Sequence, residues 1–211
     1  MEVHTPHEPV TSLRGLVTHL GLVIVGVLIA LSFEGIATWR EHRALVRDAR
    51  ANLLNEVRDN RNELAERLKQ IPQEANQLDR ALEVSIALLQ HKTIEGEMGL
   101  GFKSADLQTA SHTTAEVTGA FALMEYDEVK RYASLYNHQN VFVNAQDQAK
   151  QDLTRALSGV SFLSRNEPAS ARQLEDWSTA IRQAMASLFI EGELGASLLK
   201  QYDSVLQGRE H

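Results

Sequence analysis

The chain has no cysteine and only four prolines, and aromatic residues make up 6% of it. Without cysteine there can be neither disulfides nor thiolate metal sites, so thiol chemistry does not assign a compartment. Scarce proline leaves long stretches free to be helical, and Ala, Leu, Gln, Glu and Arg fill them. Basic charge is short as well: 21 Lys and Arg face 28 Asp and Glu, a formal net charge of −7. Phosphate backbones demand a basic footprint, so nucleic acid is excluded as a partner class. Paired carboxylates, metal-ligand clusters and nucleophile motifs are missing too. No catalytic residue, cofactor or metal ligand is expected, and the chain does not read as an enzyme.

What the chain does have is one long apolar segment near the N-terminus. From Leu20 to Phe33 no residue is charged, and Leu16, Val17, Ile36 and Ala37 extend the run to roughly 20 residues, the length a helix needs to cross a bilayer at ~1.5 Å per residue. Trp39 follows at the depth of an interfacial aromatic, with Arg40 and Arg43 just beyond it. Residues 15–38 are therefore expected to be a transmembrane helix, behind a flexible polar tail at 1–14. A buried helix of a soluble protein seldom stays uncharged all round for so long. A cleaved signal peptide, with Ala30-Leu31-Ser32 as its cleavage site, fits less well. The tail has one basic side chain, Arg14, against Glu2 and Glu8, and the apolar run exceeds the usual ~7–15 residues. Arg40, Arg43, Arg47 and Arg50 outnumber Arg14, a bias that slightly favours a cytoplasmic over a periplasmic bundle.

On a helical wheel His19, Gly26, Ala30, Glu34 and Ala37 share an arc of about 80°. Small residues four apart let another helix approach closely, and ionisable groups near lipid need a partner or the interface. The stripe is either a helix-packing face or simply the two ends of the span marked by His19 and Glu34. In the tail, His4, His7 and Glu8 invite a metal reading, but Pro6 breaks their spacing and no further ligand is at hand.

Beyond the span the pattern is helical. Val46, Ala49, Leu53, Val57, Asn60, Leu64, Leu68 and Ile71 recur at three- and four-residue steps, with Glu63 and Arg67 outside as an exposed pair. Asn60 interrupts the stripe, where a polar residue can set helix register. Pro72 is expected to end this helix and open an antiparallel partner carrying Ala75, Leu78, Leu82, Ile86 and Leu89. The EGEMGLG loop at 95–101 lacks the lysine and the preceding strand of a phosphate cradle and reads as a connection.

Ser104 to Met124 is rich in small and hydroxyl residues and is expected to form a short helical insertion. Ser111, His112 and Thr113 are adjacent and so point about 100° apart, which disqualifies them as nucleophile and base. Ser111, Thr114, Thr118, Tyr126 and Tyr132 form a possible ligand or partner surface, although tyrosines at helical spacing are more often core. Two more helices follow, about Asp127 to Ser164 and about Pro168 to Gln207, joined by a turn at Arg165–Pro168. The expected fold class is all-α: an N-terminal transmembrane helix, then a helical bundle of about four long helices at 39–208, with a frayed end at 209–211.

Four stretches carry a family resemblance: MEVHTPHEP at the start, GVLIALSFEG ending the span, the stalk WREHRALVRDARANLLNEVRDNRNEL, and TGAFALMEYDEVKRYASLYNHQ. Together they resemble a loose group of bacterial single-pass inner-membrane proteins of uncharacterised activity, over about the first 70 residues and some thirty near the middle. The resemblance implies a Gram-negative-type inner membrane and brings no catalytic or binding residues. Lysines often precede the span in that group, and this tail has none. The functional expectation is a membrane-anchored structural or interaction protein, an accessory or scaffold whose partners are the lipid bilayer and other membrane proteins or itself as a homo-oligomer. The alternative is a sensor-like ligand-binding bundle signalling through its anchor.

Overall fold

The computed structural model describes residues 13–92, 99, 101–159 and 169–208. The described residues are predominantly helical and contain no strand, as expected of an all-α chain. Helix α1 spans Leu13–Leu89, α2 Ala110–Val117, a 3-10 turn Ala120–Leu123, α3 Tyr126–Ser158 and α4 Ala171–Gln207. The tail with His4, His7 and Glu8, most of the EGEMGLG loop, the Arg165–Pro168 turn and residues 209–211 lie outside the described residues. The chain forms two compact units, Met1–Asp48 and Ala49–His211.

In the first unit, α1 carries the apolar run. Its most apolar window has a mean hydropathy of 2.4 and is wholly unburied, and the helix is long and apolar enough to cross a membrane. Large apolar side chains from Leu16 to Ile36 are 50–70% exposed on every side. The hydroxyls are satisfied internally: Ser32 Oγ donates to the Leu28 carbonyl at 2.7 Å and Thr38 Oγ1 to that of Glu34 at 3.0 Å. Past the run, the Arg43 guanidinium lies 4.7 Å from the centre of the Trp39 ring.

The second unit is built on three helices whose inner positions alternate by three and four. On α1 the buried series is Leu53, Val57, Asn60, Leu64, Arg67, Glu74, Leu78, Ala81 and Ser85, with Ile71 half-buried. On α3 it is Tyr132, Leu135, Gln139, Phe142, Gln146, Ala149, Leu153 and Ala156. On α4 it runs from Leu174 and Trp177 through Ile181, Ala184, Leu188, Glu191, Gly195 and Leu198 to Tyr202. Such spacing keeps one seam of each helix facing the others. A dense apolar cluster of Leu78, Ala81, Leu153, Ala156, Leu174, Trp177, Ile181, Ala184 and Leu188 fills one part of this core.

Pro72 does not end a helix. It sits inside α1 on the exposed side, and the hairpin expected there is absent. Proline costs roughly 3 kcal/mol in a helix interior through its missing N–H and its clash with the preceding turn. The apolar stripe runs through it in phase, Ile71 and Ala75 to Leu78 and Leu82 all packing on the same cluster, and that burial outweighs the defect. The start of α4 is also shifted from the expected Pro168 to Ala171. Ser170 caps it: its hydroxyl accepts from the Gln173 N–H at 3.3 Å, and Gln173 Oε1 accepts the Ser170 N–H at 2.9 Å.

The side-chain bonds define the topology. Arg50 pairs with Glu128, Glu56 with Tyr136 and Asn60 with Gln139, so α1 and α3 run parallel. Arg61 pairs with Asp203, Arg67 with Glu191 and Ser85 with Ser178, so α4 runs antiparallel to α1. Parallel neighbours need a return leg, and residues 101–109, which are neither helix nor strand, supply it. Gly101 meets Gln77 and Gln108 meets Asn60. The segment thus covers in seven steps of about 3.3–3.6 Å what α1 covers in seventeen of about 1.5 Å, so it is almost fully stretched. This extended leg takes the place of a fourth helix in the bundle.

Candidate functional site

Polar side chains at core positions form a seam beneath that return leg. Asn60, Arg67 and Glu74 recur seven apart on α1, and Gln139 and Gln146 do so on α3. Their hydrogen bonds go to the main chain of the segment rather than to one another alone. Gln146 accepts the Ala105 N–H at 2.7 Å and donates to the Ala105 carbonyl at 3.0 Å. Asn60 does the same for Gln108, at 2.7 Å each way, while Gln139 donates a further bond to the Gln108 carbonyl at 3.0 Å. Gln77 accepts the N–H of Gly101 at 3.1 Å and Glu74 that of Lys103 at 3.3 Å. A stretch with no ladder of its own, packed on the bundle at Ala105, satisfies its inward backbone groups in this way.

The seam continues onto α2. Thr109, at its N-terminus, makes no side-chain cap; instead the Glu56 carboxylate of α1 accepts the Ser111 N–H at 2.6 Å and that of His112 at 3.4 Å. A carboxylate there complements the positive end of the helix. Tyr136 Oη donates to the same carboxylate at 2.5 Å, and Tyr202 Oη donates to Gln139 at 2.6 Å. Burial, then the Glu56 carboxylate, pushes the Tyr136 phenol far above its ordinary range; burial does the same to Tyr202. The His112 ring packs 4.3 Å from that of Tyr136, and burial lowers its basicity.

At the centre lies a charged triad. Arg67, 2% exposed, donates Nε to Glu191 Oε1 at 2.7 Å, Nη2 to Glu191 Oε2 at 3.0 Å and Nη1 to Glu74 Oε1 at 2.7 Å. The Phe102 ring covers the guanidinium at 4.4 Å. Burial works against the cation, but the bonds to Glu191 and Glu74 prevail and hold Arg67 above its usual range. Burial raises the Glu191 carboxyl against the pull of Arg67. Two carboxylates share one guanidinium, and Glu74 Oε2 is buried without a hydrogen-bond partner. Arg67 is buried, not exposed beside Glu63 as its four-residue spacing suggests. The signal for the inside was the seven-residue recurrence of Asn60, Arg67 and Glu74.

The residues singled out from sequence fall in three places. His19, Gly26, Ala30, Glu34 and Ala37 are all exposed on α1 of the first unit, with nothing within 4 Å of a Cβ built at Gly26. Ser111, Thr114 and Thr118 lie on or just after α2: Ser111 is half-buried, the other two are exposed, and Thr118 Oγ1 donates to the Thr114 carbonyl at 2.7 Å. Tyr126 is 78% exposed and Tyr132 only 5%. They do not gather into one site. Tyr132 lines a cleft of about 400 Å³ with Leu54, Arg131, Leu135, Gln201 and Val205, and its ring lies 6.4 Å from Phe121. No family model, no curated protein and no solved structure matches the chain.

Proposed function

We propose that this chain is a single-pass, membrane-anchored helical interaction protein, an accessory or scaffold component that assembles with other membrane proteins or with copies of itself. The observation that carries the reading is the uncovered apolar helix: thirteen large side chains between Leu16 and Ile36 are half or more exposed, with no protein against them. At about 25 cal/mol per Å² of apolar surface, leaving such a face in water costs far more than a domain's net stability, and a bilayer removes that cost. The internally bonded hydroxyls of Ser32 and Thr38 suit the same surroundings. In this reading Trp39 and Arg43 sit at the interface and the stripe from His19 to Ala37 packs on a neighbouring helix. The location is a bacterial inner membrane, with the bundle on the cytoplasmic side by its basic flank. The bundle offers its surface rather than a reaction.

Carbonate extraction followed by crosslinking of detergent-solubilised protein tests this. The expected result is retention in the membrane pellet and a defined oligomer or co-purifying subunit. Extraction into the supernatant, or a clean monomer with nothing bound, defeats it. The cleft beside Tyr132 favours a second reading, a ligand-sensing bundle that signals through the anchor. A thermal-shift screen with the Leu54→Trp variant, which fills the cleft, separates the two: only a sensor has a stabilising small molecule that this variant abolishes.

A further inference from the structure

The seam beneath residues 101–109 has the chemistry of a groove that reads an extended peptide by its main chain. Gln146 and Asn60 each hold both the N–H and the C=O of one residue, Ala105 and Gln108, as one strand holds another. Gln77, Glu74 and Glu56 take further N–H groups along the same line. Side-chain contacts along the segment are few: Phe102 over the Arg67 guanidinium at 4.4 Å, Ala105, which is 5% exposed, the half-buried Leu107, and the His112 ring 4.3 Å from that of Tyr136. Main-chain bonds are indifferent to which chain supplies them.

Polar contacts outnumber apolar ones along the segment, where Gly101, Lys103, Ser104, Asp106, Gln108 and Thr109 are exposed. The apolar cluster around Leu78 and Trp177 draws its buried members from α1, α3 and α4, and Phe102 is the return-leg residue packed against it, while Ala105 is buried elsewhere in the core. Lifting the segment therefore exposes mostly amides and charges, which water satisfies. Gly119, with φ +74°, is a left-handed joint at the end of α2, beyond the part that docks.

We infer that the seam is an exchangeable docking groove, and that its second occupant is the 101–112 segment GFKSADLQTASH of another copy of this chain. The occupant seen on the seam is this sequence, and it makes each of these side-chain contacts. A second copy offers the same main-chain groups, the same phenylalanine and the same alanine. Cis and trans docking then differ only in linkage and local concentration, the condition under which identical elements swap. The inference rests on the proposed membrane assembly in one respect: confinement in a bilayer supplies the concentration that favours the trans form.

The absence of cysteine makes a clean test. Two differently tagged full-length chains are co-expressed in membranes, one carrying only Gln77→Cys and the other only Gly101→Cys, positions that meet through the Gly101 N–H at 3.1 Å. A short bis-maleimide is added before solubilisation and the tags are purified in turn. Exchange predicts a crosslink between the chains, lost when the Gly101→Cys copy also carries Ala105→Arg, whose side chain cannot enter the seam, while co-purification and helicity persist. Co-purification with a crosslink only in the single-chain double variant overturns exchange and leaves the assembly reading standing. A crosslink between chains that survives Ala105→Arg reports mere proximity and also overturns exchange. Failure of the two tags to co-purify overturns self-assembly, and exchange with it, and leaves assembly with other membrane proteins standing.

Discussion

Arg67 and Glu191 face each other through two parallel hydrogen bonds, at 2.7 and 3.0 Å, where neither side chain reaches water. Paired guanidinium and carboxylate groups of this geometry fix how two helices lie, here α1 against α4, because the fork admits one alignment. The arrangement does not by itself imply a gain in stability over an apolar core, since both ions were taken out of water. Breaking it is another matter. Arg67→Ala leaves two buried carboxylates without their cation and is expected to destabilise the bundle by about 3–5 kcal/mol. Combining Arg67→Met with Glu74→Gln and Glu191→Leu should restore most of that. Denaturant midpoints of detergent-solubilised protein measure both, and a harmless Arg67→Ala would mean the triad is not formed.

The return leg depends on its amide clamps. Gln146→Leu removes both bonds to Ala105 and leaves a buried N–H and a buried C=O with nothing to replace them, a loss of about 1–3 kcal/mol. The effect should be local. Hydrogen exchange of amides in 101–117 is expected to accelerate while the core of α4 around Leu188 stays protected. Uniform acceleration everywhere would show that the leg has no independent stability. The exposed neighbour Asn144→Leu serves as the control and should change neither.

Pro72→Ala should stabilise the protein. The proline lies exposed within α1, so alanine restores a main-chain donor and relieves the clash with the preceding turn without disturbing any buried contact. The expected gain is roughly 1–3 kcal/mol. A loss on substitution would mean that Pro72 marks a bend the bundle requires.

That proline also shows how far the fold is legible from residues alone. The spacing of Leu64, Leu68 and Ile71 continues in phase into Ala75, Leu78 and Leu82, and that unbroken period outweighs the local breaker. The all-α class, the exposed apolar run and the inward face at Leu53, Val57 and Leu64 follow from periodicity, because burial of apolar side chains decides them. The seam does not follow so simply. Arg67, Glu74, Gln139, Gln146 and Glu191 are ordinary surface residues by type, and only their partners on other elements make burial tolerable. Those partners include the backbone of residues 101–109, whose extended course has no periodic signature.

Two glycines should respond in opposite directions. A Cβ at Gly159 would lie 2.1 Å from Cδ1 of Trp177, a buried ring whose Nε1 donates to the Ala156 carbonyl at 2.8 Å. Gly159→Ala must displace that ring and is expected to cost about 1–3 kcal/mol, with Trp fluorescence shifting to the red. A Cβ at Gly192 meets only Ile71 at 3.7 Å, an ordinary contact, within the unbroken α4. Gly192→Ala should therefore stabilise by about 0.5–1 kcal/mol through helix propensity. Thermal melts of the two variants beside the parent decide it, and equal signs would contradict the packing described.

Acid should loosen the contact between α3 and α4 through Asp152. Burial alone would raise this carboxyl, but bonds from Gln148 at 2.9 Å, Ser187 at 2.5 Å and Arg155 at 2.6 Å outweigh it and hold the group below its ordinary value. A carboxyl lowered on folding contributes stability above the unfolded value of about 3.9, and that contribution is lost as pH falls through the lower folded value. The parent protein is thus expected to lose stability as pH falls through and below the ordinary carboxylate range more steeply than Asp152→Asn, which has no charge to lose. Since Ser187 reaches Asp152 from α4, the same window should bring faster hydrogen exchange where those helices meet. Parallel pH profiles for the parent and the asparagine variant would show that the carboxylate is not held in its ionised form by these bonds.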